Sequence, residues 1–415
     1  MNTDTAASPS SGIGSAPRFD WLRQLALAGV TFLLIYNISP ASQESLTSAR
    51  ISIALLLVAA AALGWFNRPL PDAWVWLIFI PFPFAVLQSS MSLDSGQVSR
   101  FVNLFINSFV GGWLLAQLAR KREDILAAFL IAVFFQSLFV FVSFFSFDLR
   151  EFVSEHIAVG ANFDAADIYR APGLSSDAGS SLSVTQSVGV LAGGLLLHRV
   201  RVAGRLAKGS IVLAMFVIAT SCIFVGRTGL IISWTLILIC TVKKLIPRSA
   251  IFIALATIVA AGALALTFIG DLLPDQFSSD YFLDWAFGFL SGKNSSVSDL
   301  ASMPIPPIST STIFGTGLVG LFNGANPSGN DSGFVQNYFS LGLILAVVLY
   351  VAYAHALYRL VRWMPALIGA AAGLIFFASE VKEPFLFKYS IMTFLIAAAC
   401  ARDTRPSIQA SHPVT

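Results

Sequence analysis

The sequence predicts an all-α polytopic integral membrane protein, with about twelve transmembrane helices and two larger, partly helical loops on one side. Three observations carry that prediction. Hydrophobic residues make up 56% of the 415-residue chain and charged residues only 11%, with a mean hydropathy of +0.78. A soluble domain carries roughly 25% charge. Apolar runs recur along the chain at lengths suited to a bilayer core. Lysine and arginine collect in alternate connections between those runs.

Met1–Pro17 holds almost no large apolar residue and reads as a disordered tail, as does 402–415. Between them, 18–401 forms one transmembrane domain with spans near 22–38, 51–66, 73–88, 101–118, 125–147, 182–197, 210–225, 230–242, 249–269, 334–355, 365–379 and 389–401. No convincing cleavage site follows the first, which is expected to remain as an anchor. Pro81 and Pro83 predict a kink in the third. Gly189/Gly193 and Gly369/Gly373 are small-xxx-small pairs suited to close helix packing. Cys222, Cys240 and Cys400 all fall in apolar spans and read as small core residues, with no disulfide framework or metal site. No internal repeat is evident.

One charge divides the seventh and eighth spans. Ser210–Val242 is 33 residues long and its only charge is Arg227, in Gly226-Arg227-Thr228-Gly229. As one helix it would be about 50 Å long, against a bilayer core of roughly 30 Å. Broken at the glycines it becomes a hairpin with Arg227 at its tip. With both termini cytoplasmic, the hairpin leaves 17 Lys and Arg inside and 8 outside. A single span would give 13 inside, 11 outside and Arg227 buried, and the bias would nearly vanish. A cation at that depth is costly unless it is enclosed by protein or faces water. Anion binding is the function such a residue serves best; pairing with a loop acid or carbonyls is the structural alternative.

Two outer-side loops, 148–180 and 271–333, are too long for simple turns. Together they hold twelve acids against Arg150, Arg170 and Lys293, so each outer cation stands out. Arg170 opens the constrained turn Arg170-Ala171-Pro172-Gly173-Leu174. Lys382 and Lys388 flank Glu383-Pro384 in a short turn between the last two spans, where interfacial anchoring is the alternative role. Guanidinium suits phosphate because it is planar, always charged and bidentate. In the second loop, Ser278-Ser279-Asp280 is placed to cap a helix carrying Tyr281, Phe282, Trp285 and Phe289. That helix would either lie in the membrane interface or offer an aromatic wall to sugar rings. Near the loop's end, Asp331 in Gly329-Asn330-Asp331-Ser332-Gly333 is either the N-cap of the tenth span or a reacting carboxylate. Phe314-Gly315-Thr316-Gly317-Leu318 is a flexible strip able to bring amides close to a ligand, without the lysine of a P-loop. Of four histidines only His156 lies on the outer side.

Taken together, Gly-Arg-Thr-Gly in an apolar hairpin, Phe-Gly-Thr-Gly-Leu, Asn-Asp-Ser-Gly-Phe before Tyr338-Phe339-Ser340-Leu341-Gly342, and Val381-Lys382-Glu383-Pro384 resemble the bacterial O-antigen and exopolysaccharide polymerases. These belong to a superfamily that also contains the O-antigen ligases. The resemblance spans roughly Arg170 to Lys388; the first five spans match only in hydropathy. It implies a metal-independent glycosyltransferase without cofactor on the periplasmic face of the bacterial inner membrane. Such an enzyme joins undecaprenyl-pyrophosphate-linked repeat units. The implied partners are that lipid-linked oligosaccharide, membrane lipid, a chain-length regulator and a flippase, with no nucleic acid. The family's outer-loop arginines map onto Arg170 and Arg227.

The expected roles follow. Arg227, Arg170, Lys382 and Lys388 bind pyrophosphate, and Arg227 also stabilises the leaving charge. Asp331 activates or orients the acceptor hydroxyl. Trp285, Tyr281 and Asn330 contact glycan. Two rival readings remain. A ligase of the same fold carries a histidine near the end of the large loop, and 271–333 contains none. A flippase or other transporter usually shows internal repeats around a midplane site, which this chain lacks.

Overall fold

In a computed structural model the chain is described over residues 20–42, 46–64, 66, 69–159, 171–177, 179–199, 205–246, 249–253, 255–257, 302–319 and 327–401. Among the described residues the regular structure is helical, apart from one isolated bridge between Pro40 and Ile157. The first half holds α1 (Asp20–Tyr36), α2 (Ser48–Leu63), a 3-10 helix (Ala73–Phe79), α3 (Phe82–Ser92), α4 (Gly96–Asn103), a π-helix (Leu104–Val110), α5 (Gly111–Leu118), α6 (Arg122–Phe145) and α7 (Phe147–His156). The second holds α8 (Gly179–Arg199), α9 (Arg205–Ser221), α10 (Arg227–Val242), α11 (Thr310–Phe314), α12 (Gly333–Leu341), α13 (Leu343–Val361), α14 (Ala366–Ser379) and α15 (Tyr389–Cys400). Among them, six helical segments are long and apolar enough to cross a membrane, and five more are apolar but shorter, at 10–17 residues. This is a membrane-embedded, polytopic helical bundle. The tails and most of the 249–269 span lie outside the described residues.

The hub is α8, whose residues from Ser181 to Leu197 are all buried. Its small residues let neighbours come close on several sides. A Cβ at Gly189 would sit 2.6 Å from Val133 of α6, one at Gly193 2.6 Å from Met215 of α9, and one at Gly194 2.6 Å from Cys240 of α10. On the side of α15, Thr185 Oγ1 and Ser390 Oγ lie 2.8 Å apart. The first glycine pair therefore does pack helices, against two different partners. All three cysteines are buried and free, as core residues should be.

These contacts also fix the direction of α9 and α10. Cys222 and Gly229 both meet Ser183, while Met215 and Cys240 meet the adjacent residues Gly193 and Gly194. The chain therefore descends and returns along α8, with an extended Gly226 (φ −178°, ψ 139°) at the turn. The hairpin expected at Arg227 is present. The kink expected at Pro81/Pro83 is present too, as a 3-10 helix ending at Phe79 followed by a fresh helix from Phe82.

The expected tenth span, 334–355, is not one helix. It breaks at Gly342 (φ +90°), and α13 continues to Val361. In a straight helix Phe334 and Tyr350 would be about 24 Å apart, yet their ring centroids are 4.4 Å apart. Thus α12 folds back along α13. A Cβ at Gly342 would lie 2.5 Å from Gly315 N and Ile313 O, so only glycine fits this turn. The Phe314–Leu318 strip is what wedges it. Thr316 N and Gly317 N donate to Phe339 O (3.0 Å) and Ser340 O (2.9 Å), and Gln88 Nε2 donates to Phe314 O (2.5 Å) and Leu341 O (3.1 Å). Those two amides, expected to face a ligand, instead satisfy the last carbonyls of α12.

At one end of the bundle the helices are tied by charge: Arg23–Asp124 at 2.9 Å, Arg199–Glu123 at 3.2 Å and Arg359–Asp72. Arg359 holds the Asp72 carboxyl below its usual range. Arg122 donates to Ala398 O (2.6 Å) and Ala401 O (3.1 Å), closing the C-terminus of α15, and its guanidinium lies 4.5 Å from the Trp363 ring. The short sequence motifs singled out above gather at the other end.

Candidate functional site

Three helix ends and one turn build this region. Gly226-Arg227-Thr228-Gly229 starts α10, Gly179-Ser180 starts α8, Asn330–Gly333 leads into α12, and 380–388 links α14 to α15. Arg227 is the first residue of α10 and half-buried. Its turn is pressed onto α8. Gly229 N donates to Ser183 Oγ (3.1 Å), and a Cβ at Gly229 would sit 2.6 Å from Ser183 Cβ, while one at Gly226 would be 3.0 Å from Gly179 O. Both glycines of the motif are there because backbone must approach backbone.

The 380–388 turn docks on the same ground. Glu383 accepts a short hydrogen bond from Ser180 Oγ, and Lys388 Nζ lies 3.7 Å from Asp177. On its other flank, Gly333 N and Ser332 Oγ donate to Glu380 O at 2.8 and 3.3 Å. Contacts therefore run without a gap from Asp331's neighbours through Glu380 and Glu383 to Ser180, Ser183 and the Arg227 turn. Lys382 is half-buried in that turn, with no ion pair among the described residues.

Arg170 lies outside the described residues, but the segment it opens does not. Ala171 N donates to Phe224 O (2.8 Å), three residues before Arg227. Gln136 Nε2 donates to Pro172 O (2.9 Å) and its Oε1 accepts from Leu174 N (3.2 Å). Gly173 is left-handed (φ +59°), as the expected constrained turn requires. The clamp comes from a fully buried glutamine in the middle of α6.

Two sequence expectations about Asn330–Gly333 change. Asp331 is not the N-cap of α12; that position belongs to Ser332, and the Asp331 side chain is exposed. Asn330 was expected on glycan. It is 4% exposed, with Nδ2 donating to Pro304 O (3.2 Å) and Oδ1 accepting from Ser332 N (2.9 Å). It shapes the loop that presents Asp331. Tyr281 and Trp285, with their expected helix, lie outside the described residues. His156 is exposed at the end of α7, stacked on Phe152 at 4.3 Å, and its carbonyl accepts from Ala41 N (2.9 Å).

A polar network behind Asp331 went unread in the sequence. Glu380, 0% exposed, accepts from Tyr350 OH (3.0 Å) and from Leu386 N. Tyr350 OH accepts from Asn337 Nδ2 (2.7 Å). Arg100 donates to Gln336 Oε1 (2.9 Å), and Gln336 Nε2 donates to Asp331 O (3.0 Å). Because α12 folds back, Glu380 meets α13 seven residues past its start, about 10 Å along the helix axis. The signal available was a glutamate beside Lys382 and an arginine entering the fourth span. Their partners are far away in sequence. Among the described residues no group of three or more His, Cys, Asp or Glu is placed to hold a metal. No family model, no curated protein and no solved structure matches this chain.

Proposed function

We propose that this chain is a glycosyltransferase of the bacterial inner membrane, which polymerises undecaprenyl-pyrophosphate-linked repeat units on the periplasmic face. It spans the membrane about twelve times with both termini in the cytoplasm. One observation carries the reading: the Gly-Arg-Thr-Gly, Asn-Asp-Ser-Gly and Val-Lys-Glu-Pro motifs, separated by up to about 155 residues, join one polar surface at one bundle end.

The chemistry fits. The start of α10 carries the positive end of the helix dipole, with Gly229 N already held by Ser183 Oγ, and Arg227 stands at the same end. Pyrophosphate bound there would be met by a fork of donors in a low-dielectric setting, where leaving-group charge is stabilised most. Arg170 and Lys382 would add charge, and Lys388 would do so on exchange from Asp177. Asp331, exposed beside the docked turn, would take the acceptor hydroxyl's proton. Charges tying the opposite bundle end match cytoplasmic placement of that end.

Complementing a deletion strain tests the reading through its lipid-linked glycans. Arg227→Ala is expected to leave single repeat units at normal protein level. Arg227→Lys should restore extension only partly, since an ammonium lacks the planar fork. Full-length chains left on carrier lipid would identify a ligase, and units facing the cytoplasm a flippase.

A further inference from the structure

Asp331 is exposed, yet every main-chain polar group on either side of its Cα is engaged. In the peptide before it, Asn330 O accepts from Ser328 Oγ (3.1 Å) and Asp331 N donates to Met303 Sδ (3.4 Å). In the peptide after it, Ser332 N donates to Asn330 Oδ1 (2.9 Å) and Asp331 O accepts from Gln336 Nε2 (3.0 Å). Peptide units are planar, so fixing the two that flank a Cα fixes its φ and ψ, and with them the direction of its side chain. Ser328, Met303 and Asn330 belong to the loop that carries Asp331. Gln336 lies inside α12 and is held from a helix that carries none of the short motifs.

That helix is α4, where Gln97 and Arg100 stand three residues apart on one face. Gln97 Nε2 donates to Asn337 Oδ1 and its Oε1 accepts from Ser340 Oγ, both at 3.4 Å, while Arg100 Nη2 donates to Gln336 Oε1 at 2.9 Å. The same stretch is seated on the 380–388 turn. The buried Phe101 ring meets Phe387 edge-on at 5.1 Å, and the Arg100 guanidinium lies 5.9 Å from the Phe387 ring. Arginine donates hydrogen bonds and accepts none. Its contact therefore turns the Gln336 oxygen toward α4 and leaves the amide NH2 for Asp331 O. The two bonds act in series.

We propose that Arg100 and Gln336 are positioning residues: Arg100 orients the Gln336 amide, that amide locks the Asp331–Ser332 peptide, and the exposed carboxylate is thereby aimed at the acceptor hydroxyl. The role rests on the polymerase reading, in which Asp331 is the reacting carboxylate. Asp331 precedes the cap of α12, so no helical bond is available to its carbonyl; the first goes from Gln336 N to Ser332 O. A base must stand within hydrogen-bond reach of the proton it takes, and a 1 Å misplacement costs about a hundredfold in rate.

The full chain is tested on the single-repeat lipid-linked units extracted from the deletion strain. Gln336→Met keeps the side-chain length and removes both bonds. It should lose about ten- to a hundredfold in kcat, with KM within about twofold of wild type. Gln336→Glu keeps the Arg100 contact but turns an oxygen toward Asp331 O, and should lose as much. Arg100→Lys should lose less than Arg100→Met. Adding Arg100→Met to Gln336→Met should cost little more than Gln336→Met alone, because a chain of bonds is broken only once. Deuterium exchange gives a readout that needs no activity: the Asp331 and Ser332 amides should exchange about fivefold faster in Gln336→Met. Wild-type kcat in Gln336→Glu, a loss confined to KM, or losses that multiply in the double variant would overturn the proposal. Unchanged exchange in Gln336→Met would overturn it as well. Faster exchange in that variant, with a wild-type chain that never extends a glycan, would uphold the tether and count against the polymerase reading alone.

Discussion

Replacing Gly229 by alanine tests the packing that holds Arg227 in place. The added Cβ would lie 2.6 Å from Ser183 Cβ and nearer still to the Ser183 carbonyl, where ordinary contact is 3.4–4 Å. Ser183 is backbone-locked inside α8 and fully buried, so it cannot swing away. The start of α10 must retreat by about 1 Å, losing the bond from Gly229 N to Ser183 Oγ. Overpacking of this kind costs about 1–3 kcal/mol, and the lost hydrogen bond adds roughly 1 kcal/mol. A control is built into the same hairpin: nothing lies within 4 Å of a Cβ at Gly209, in α9, where alanine should stabilise by about 1 kcal/mol. Three buried, free cysteines make a thiol-reactive dye a direct melting probe, and Cys222 and Cys240 sit on the α8 interfaces in question. Gly229→Ala should melt several degrees below wild type and Gly209→Ala at or above it. Chain extension should fall about a hundredfold in Gly229→Ala, the usual penalty for a 1 Å misplacement. Equal melting of the two variants would refute the close approach of α10 to α8.

Two further outcomes separate the roles of other residues. Since Ser332 occupies the cap position, both Asp331→Asn and Asp331→Ala should insert at wild-type levels, while only single repeat units appear in the lipid-linked pool; normal chain lengths in both would remove Asp331 from the chemistry. Gln136→Leu keeps the volume but strands Pro172 O and Leu174 N, at about 1–3 kcal/mol each, so the Ala171 and Leu174 amides should exchange with deuterium faster than in wild type; unchanged exchange would show the clamp to be idle.

The class of this protein and the outline of its helices were legible because membrane insertion reads composition. Long apolar runs and proline at 81 and 83 each express a local free energy, and each has its counterpart in the helices described. The Arg227 hairpin was legible for the same reason: a 33-residue run with one central charge fits a bilayer only when folded. The fold-back at Gly342 was not, because Gly342 lies in an apolar run that continues smoothly on both sides. At the turn its backbone is pressed against Gly315, and that contact spans 27 residues. Cap and clamp were hidden likewise. The step from Asp331 to Ser332 at the cap depends on where Glu380 receives the chain, and Gln136 looks like any glutamine in a span until Pro172 and Leu174 reach it. Glu380 shows the division most sharply. Its sequence neighbours mark it as a polar turn residue at a membrane surface. Only the return of α12 along α13 buries it and surrounds its carboxyl with Tyr350, Leu386 and Gly333, because a residue's solvation is set by which distant segments fill the space around it.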